Sequence, residues 1–200
     1  MLRRTVAALS LLCLAAGPAT QPKKAPPKPD PNSAEFVLPT LHCRFRVPKT
    51  WQRKELPATE PEGLFVFDPA PVSKKPTSAR FLQMIQIDID RPKATQKTLT
   101  DIVNDLRTAL QAKGPIKFTK DSAIKFAGHD AWTLQWVEQT PATIIINGKQ
   151  SQSTLETERS TYAWLDNGMF CNFSLYADPG FLPSLTQKAE GVAKTIQWDE

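Results

Sequence analysis

Between Ile116 and Tyr176 apolar and polar residues alternate in four runs: Ile116 to Phe126, Ala131 to Gln139, Thr154 to Leu165 and Met169 to Tyr176. A period of two puts successive side chains on opposite faces of an extended strand. Gly128 and Asn167-Gly168 stand at two of the breaks, where turn residues belong. Asn147-Gly148 is the strongest hairpin signal in the chain, with strand-like Thr143 to Ile146 before it and Lys149 onward after it. A two-residue turn there makes Ile146 face Lys149, Trp136 face Arg159 and Trp132 face Ala163. The hairpin is therefore long, and its outer part, from about Pro141 to Thr154, is expected to project beyond the sheet. Pro141 has no N–H to give a ladder, which suits an edge or a bend. Ile144, Ile145 and Ile146 occupy both faces of this arm, so at least one must meet a helix, a loop or a partner. With Asn147 they are the candidate partner-binding residues; otherwise they extend the core as a strand covered on both sides.

Before this meander, Leu41, Cys43, Phe45 and Val47 alternate with His42, Arg44 and Arg46, and Pro48 ends the run. Leu64 to Phe67 and Phe81 to Asp90 read as further strands. The period then changes: Leu99, Ile102, Val103, Leu106, Ala109 and Leu110 form one helical stripe, with Thr98 as N-cap and Lys113-Gly114-Pro115 as the stop. After the meander, Asp178-Pro179 is expected to cap a second helix carrying Phe181, Leu185, Ala189, Val192 and Ile196. A short strand from Ile196 to Trp198 closes the chain. Strands, helix, meander, helix, strand is the order of an α+β fold with helices packed on an antiparallel sheet.

The chain has 200 residues and a net charge of +5, which invites a nucleic-acid reading. Five of its 25 basic residues and one of its 20 acids lie in residues 1–33, so residues 34–200 stand at +1. A domain that grips phosphates carries its positive charge itself, and this one does not.

The excess charge belongs to a leader. Arg3-Arg4, an apolar run from Val6 to Ala16 and small residues at Gly17 and Ala19 have the three parts of a secretory signal, with cleavage after Ala19. The run is shorter than a bilayer requires. Cys13 offers a minor alternative, a lipid anchor, but Leu12 stands where a small residue belongs. Residues 20–33 hold five prolines and three lysines, a composition that stays extended and solvated as a Pro/Lys-rich disordered linker. The domain is expected to occupy residues 34–200 of a periplasmic or extracellular protein.

Phe45-x-Val47-Pro48-x-x-Trp51, the turn Gly128-His129-Asp130-Ala131, the long later hairpin and the closing Phe181-to-Trp198 segment together resemble the PsbP/Mog superfamily. The resemblance covers residues 34–200 and implies an α/β/α sandwich around a central antiparallel sheet. Members are chiefly binding proteins: an extrinsic photosystem subunit, a Ran-binding nuclear factor and bacterial DcrB-like lipoproteins. No catalytic residues come with it. A Ran-binding role does not suit an exported chain.

Motifs for chemistry are sparse. His42 and His129 have no Cys or His at metal-ligand spacing, so no metal is expected. Asp88 with Asp90, and Glu156 with Glu158, share strand faces, a pattern that usually solubilises. No nucleophile elbow, phosphate-binding loop or dinucleotide fingerprint is present, and no cofactor is expected. Trp132, Leu134 and Trp136, with Tyr162 and Trp164 on the next strand, either line an apolar or sugar pocket or pack beneath a helix; packing is the preferred reading. Signal removal leaves Cys43 and Cys171 as an even pair in an oxidising compartment, each on an apolar strand face. They form a disulfide or remain two buried thiols.

The function expected is an exported, non-enzymatic binding or accessory module docking on an envelope or extracellular assembly. The rival is a hydrolase or transferase whose site no motif reveals. A pocket with convergent titratable groups points to the rival, and an apolar patch or groove to the module.

Overall fold

Chain order in the computed structural model is Ser33–Leu38 (β1), Cys43–Pro48 (β2), Gln52–Arg53 (β3), Leu64–Asp68 (β4), Gln83–Asp90 (β5), Leu99–Gln111 (α1), Phe118–Phe126 (β6), His129–Ile146 (β7), Lys149–Asp166 (β8), Met169–Ala177 (β9), Leu182–Ala193 (α2) and Gln197–Trp198 (β10). The structure describes residues 30–53, 64–68, 83–146 and 149–199; the side chains of residues 64, 65 and 144–146 are outside that description. The leader, all of the linker before Asp30, and the Asn147-Gly148 turn therefore lie outside the described residues.

Among the described residues the strands form two sheets rather than the single sheet expected. Seven strands run in the order β3-β4-β5-β9-β8-β7-β6, and β1-β2-β10 make a separate sheet of three. All pairings are antiparallel. The alternating β2 residues do point one way, since Cys43, Phe45 and Val47 are buried. Their neighbours are β1, a strand not expected from the sequence, and β10 from the far end of the chain. Leu41 is not part of β2: it ends a 3₁₀ turn over Pro39–Leu41, which His42 closes in the left-handed region at φ 50°.

Helix α1 begins where its cap chemistry says. Thr98 Oγ1 accepts from the Asp101 N–H (3.2 Å) and Asp101 Oδ2 accepts from the Thr98 N–H (2.8 Å), a capping box with Asp in the usual Glu or Gln position. The Thr98 hydroxyl holds the Asp101 carboxyl below its ordinary range. Helix α2 departs from expectation. Its N-cap is Phe181, with no side-chain cap bond, and the Asp178 carbonyl accepts from the Phe181 N–H at 3.1 Å. Pro183 in the first turn sets the start instead, because an N–H there has no helical partner to lose. Ile196 lies beyond the helix.

Among the described residues two apolar clusters result. The larger gathers Leu185, Ala189 and Val192 of α2 with Ile85, Ile87 and Ile89 of β5, Phe173 and Leu175 of β9, and Phe45 and Val47 of β2. The smaller sets Val103 of α1 on Leu134 and Trp136 of β7, flanked by Leu99, Leu106, Leu110 and Phe118. On β7 the two clusters draw on alternate faces, Ala131 for the first and Leu134 and Trp136 for the second.

Candidate functional site

The β7–β8 register is the one that an Asn147-Gly148 turn demands: Ile146 faces Lys149, Trp136 faces Arg159 and Trp132 faces Ala163. The flanking strands stop early. β6 reaches only Trp136, and β9 reaches only Glu158, which faces Val137 across the hairpin. From Glu138↔Thr157 to Ile146↔Lys149 the two strands pair, among the described residues, with each other alone, nine pairs or roughly 30 Å at 3.3 Å per residue. The projection thus begins three residues before Pro141, earlier than expected. Pro141 sits in it opposite Thr154.

Most of this arm is wet. Gln139, Thr140, Pro141 and Thr143 are exposed on one strand, and Lys149 to Gln152 and Thr154 to Glu156 on the other. Leu155 is 52% exposed, and Val137 at the base 46%. Short polar side chains bond straight across: Gln139 Nε2 donates to Glu156 Oε1 (3.0 Å) and Gln152 Nε2 to Thr143 Oγ1 (3.2 Å). The backbone of Ile144, Ile145 and Ile146 lies in β7 within the arm, and their side chains and Asn147 fall outside the described residues.

The base of the arm is tied down by residues that no motif marks. Arg159 forms an ion pair with Glu138 and lies over the Tyr176 ring, 4.4 Å from its centroid. The Tyr176 hydroxyl donates to Gln86 Oε1 (3.1 Å), and burial raises its pKa above the ordinary tyrosine value. Glu158 Oε2 accepts from the Gly180 N–H at 3.1 Å. A sequence signal exists for the ion pair, since the hairpin register makes Glu138 and Arg159 diagonal neighbours.

The aromatic residues are not one site. Trp132 faces Ala163, so Tyr162 and Trp164 point to the opposite side of the sheet. Leu134 and Trp136 are buried beneath α1, in agreement with packing rather than a pocket. Trp132 is half-buried and donates from Nε1 to Asp121 Oδ1 (2.7 Å). Arg107 of α1 grips the same carboxylate through Nε (3.0 Å) and Nη2 (2.9 Å), and its hydrogen bonds lead in holding Asp121 below the usual carboxylate range. On the other side Phe126 stacks on Tyr162 at 4.4 Å, and Trp164 packs on Phe173 at 5.3 Å within the main core.

Neither histidine stands where the sequence pattern places it. His42 closes the 3₁₀ turn instead of sitting on a strand, and His129 opens β7, stacked on Trp164 with Nε2 3.8 Å from Asp166 Oδ2. The same Asp166 oxygen accepts from Trp198 Nε1 at 2.9 Å. Glu156 and Glu158 serve the cross-strand and loop bonds already described, while Asp90 accepts from the Arg91 N–H (2.7 Å). Among the described residues no three His, Cys, Asp or Glu side chains gather as metal ligands would. Cys43 and Cys171 are free thiols with no exposed surface, in the same core. Burial, reinforced by Asp166 and Asp199, pushes the Cys43 thiol up to about 12, and burial raises Cys171 too. A thiol held neutral is a poor nucleophile.

No family model and no curated protein matches this sequence. Solved structures do. Cyanobacterial PsbP (CyanoP) from Synechocystis sp. PCC 6803 is similar at a TM-score of 0.51 and 13% identity, over 91% of this chain and 99% of that one. The Ran-binding protein Mog1p of Saccharomyces cerevisiae aligns at 0.47 and 8% identity, over 84% and 95% of the two chains. LpqN of Mycobacterium tuberculosis, a protein involved in cell envelope biogenesis, aligns at 0.43 and 16%, over 86% and 87%. The PsbP likeness shows that the fold is PsbP/Mog-like. Among the described residues no helix is long and apolar enough to cross a membrane.

Proposed function

We propose that this chain is an exported binding or accessory module, without chemistry of its own, that docks on an envelope or extracellular assembly through its hairpin arm. The projection of that arm nine residue pairs past its neighbouring strands carries the reading. A bare, charge-poor strand pair is an aggregation hazard, and a partner that covers it accounts for its retention. Residues 1–19 serve as the export signal and residues 20–33 as a spacer between the membrane or wall and the domain. The domain is an α/β/α sandwich, a layout supported by the alternate β7 faces that feed its two clusters. Ile144, Ile145, Ile146 and Asn147 make the contact. In the oxidising compartment Cys43 and Cys171 are a candidate disulfide, worth about 4–5 kcal/mol in the chain-entropy model and decided by non-reducing peptide mapping.

Affinity capture of the mature protein from its native envelope fraction, with Ile145→Asp beside the wild type, tests the docking role. The expected result is a captured partner lost in the variant while the melting curve stays nearly unchanged. A large loss of stability with no separate binding defect makes these isoleucines core only. Capture of nothing, with turnover of a small substrate, overturns the module.

A further inference from the structure

We propose that the β8 edge of the arm, Gln150 to Glu156, pairs with the same edge of a second copy of this chain across a two-fold axis. The phase of the hairpin decides which backbone groups the arm leaves outward. In a two-residue hairpin the residues flanking the turn, Ile146 and Lys149, exchange hydrogen bonds, and every second pair beyond them does the same. The intervening pairs, Pro141↔Thr154 among them, turn their N–H and C=O groups outward. Two observations agree with that phase. Pro141, with no N–H, falls at an outward position, and Gln135, also odd-numbered on β7, offers its carbonyl to Thr119 Oγ1 of β6 at 3.1 Å.

The two edges of the arm are therefore unequal. On β7 the outward donors are interrupted at Pro141. On β8 the outward residues are Gln150, Gln152, Thr154 and Glu156, four donors and four acceptors without a break, and all four residues are exposed. From Gln150 to Leu155 this edge has no charge, no proline and no glycine. Charge and proline are devices by which native edges avoid pairing, and their absence between Lys149 and Glu156 leaves the centre of this edge open to a second strand.

The occupant follows from symmetry. A two-fold axis normal to the sheet, midway between the Ser153 residues of the two copies, sets Gln150 of one copy against Glu156 of the other, and Gln152 against Thr154. All eight outward residues of the two copies then engage, and each carboxylate meets an amide, so no like charges oppose. The same four residues supply both sides, so a second copy satisfies the edge with no other component. Ile145 sits on β7, off this edge, so the pairing stands or falls separately from the docking reading.

Sedimentation equilibrium of the purified chain tests it. An edge-only contact is small, and the expected result is a mass that rises to twice the monomer value with a Kd on the order of micromolar. Thr154→Pro deletes an outward N–H without touching the β7–β8 ladder and should weaken association at least ~10-fold with circular dichroism unchanged. Q152K/T154K sets lysine against lysine and should do the same, whereas Q152K/T154E sets lysine against glutamate and should restore association to within about threefold of wild type. A wild-type chain that stays monomeric up to ~100 μM, well above the Kd expected for so small a contact, overturns the proposal. So does a dimer indifferent to both disruptive variants, or a Q152K/T154E chain that dissociates like Q152K/T154K.

Discussion

The strands β7 and β8 pass through two environments. Between Ser160 and Trp164 every β8 residue is buried, because β7 and β9 flank the strand and apolar clusters cover both faces. Between Lys149 and Glu156 the same strand is exposed at all but Ser153. The backbone ladder is continuous across the boundary. What changes is coverage, and the side chains follow it: Ser160, Thr161, Tyr162, Ala163 and Trp164 inside; Gln, Ser and Thr with one leucine, between Lys149 and Glu156, outside. A β-ladder can thus extend beyond the core that stabilises it, provided its base is anchored, and here Arg159, Glu138, Tyr176 and Glu158 anchor it.

If stability resides in the inner half, Phe173→Ala should cost the most. Its ring has no exposed surface and touches Trp164 and Phe126, so the loss expected is about 3–5 kcal/mol in a denaturant titration. A loss below ~1 kcal/mol would break the comparison.

The buried thiols give the next effect, read as a slope in pH. Unfolded cysteines ionise near ~8.5, whereas burial holds Cys43 neutral to about 12 and raises Cys171 as well. Above pH ~9 the unfolded chain binds fewer protons than the fold, so stability is complete below that pH and falls as pH rises through the folded values. Relative to a reduced C43A/C171A control, the reduced wild type should lose about 1.4 kcal/mol per pH unit for each thiol. Equal slopes would place the thiols in solvent.

Asp121→Asn comes third, at about 1 kcal/mol, because the Arg107 fork and the Trp132 indole lose a charged acceptor at the margin of the α1 cluster. Its carboxyl is held low, so this contribution is present at neutral pH and is lost as pH falls below ~4, through the folded value. Acid titration of the variant should lack that step. The smallest effect belongs to the arm. Leu155→Ser should change stability by less than ~0.5 kcal/mol. A larger cost would mean that something covers Leu155 and that the two halves are less unlike than their exposure suggests.

Much of the candidate site is legible in the amino-acid order. Asn147-Gly148 and the alternation around it set the pairing of β7 with β8, and Thr98 with Asp101 sets the start of α1, because turn and cap chemistry act within a few residues. The apolar face of Met169, Cys171, Phe173 and Leu175 is equally local. Less legible are β1, whose six residues show only weak alternation, and the start of α2, where Asp178-Pro179 has the composition of a cap and Pro183 wins. The aromatic grouping fails for a reason contained in the register, since Trp132 opposite Ala163 forces Trp164 to the other side.

Where the arm leaves the sheet is a different kind of question. The sequence alone determined that a long hairpin exists and which residues face each other in it. These follow from a period of two and the phase of one turn. Only the tertiary structure decided that β9 lies between β5 and β8, that β10 crosses to β2 to make a separate sheet, and that β6 and β9 end at Trp136 and Glu158. Those pairings join residues far apart in the chain. Their energies depend on which distant surfaces bury each other, and no short stretch of sequence contains that information.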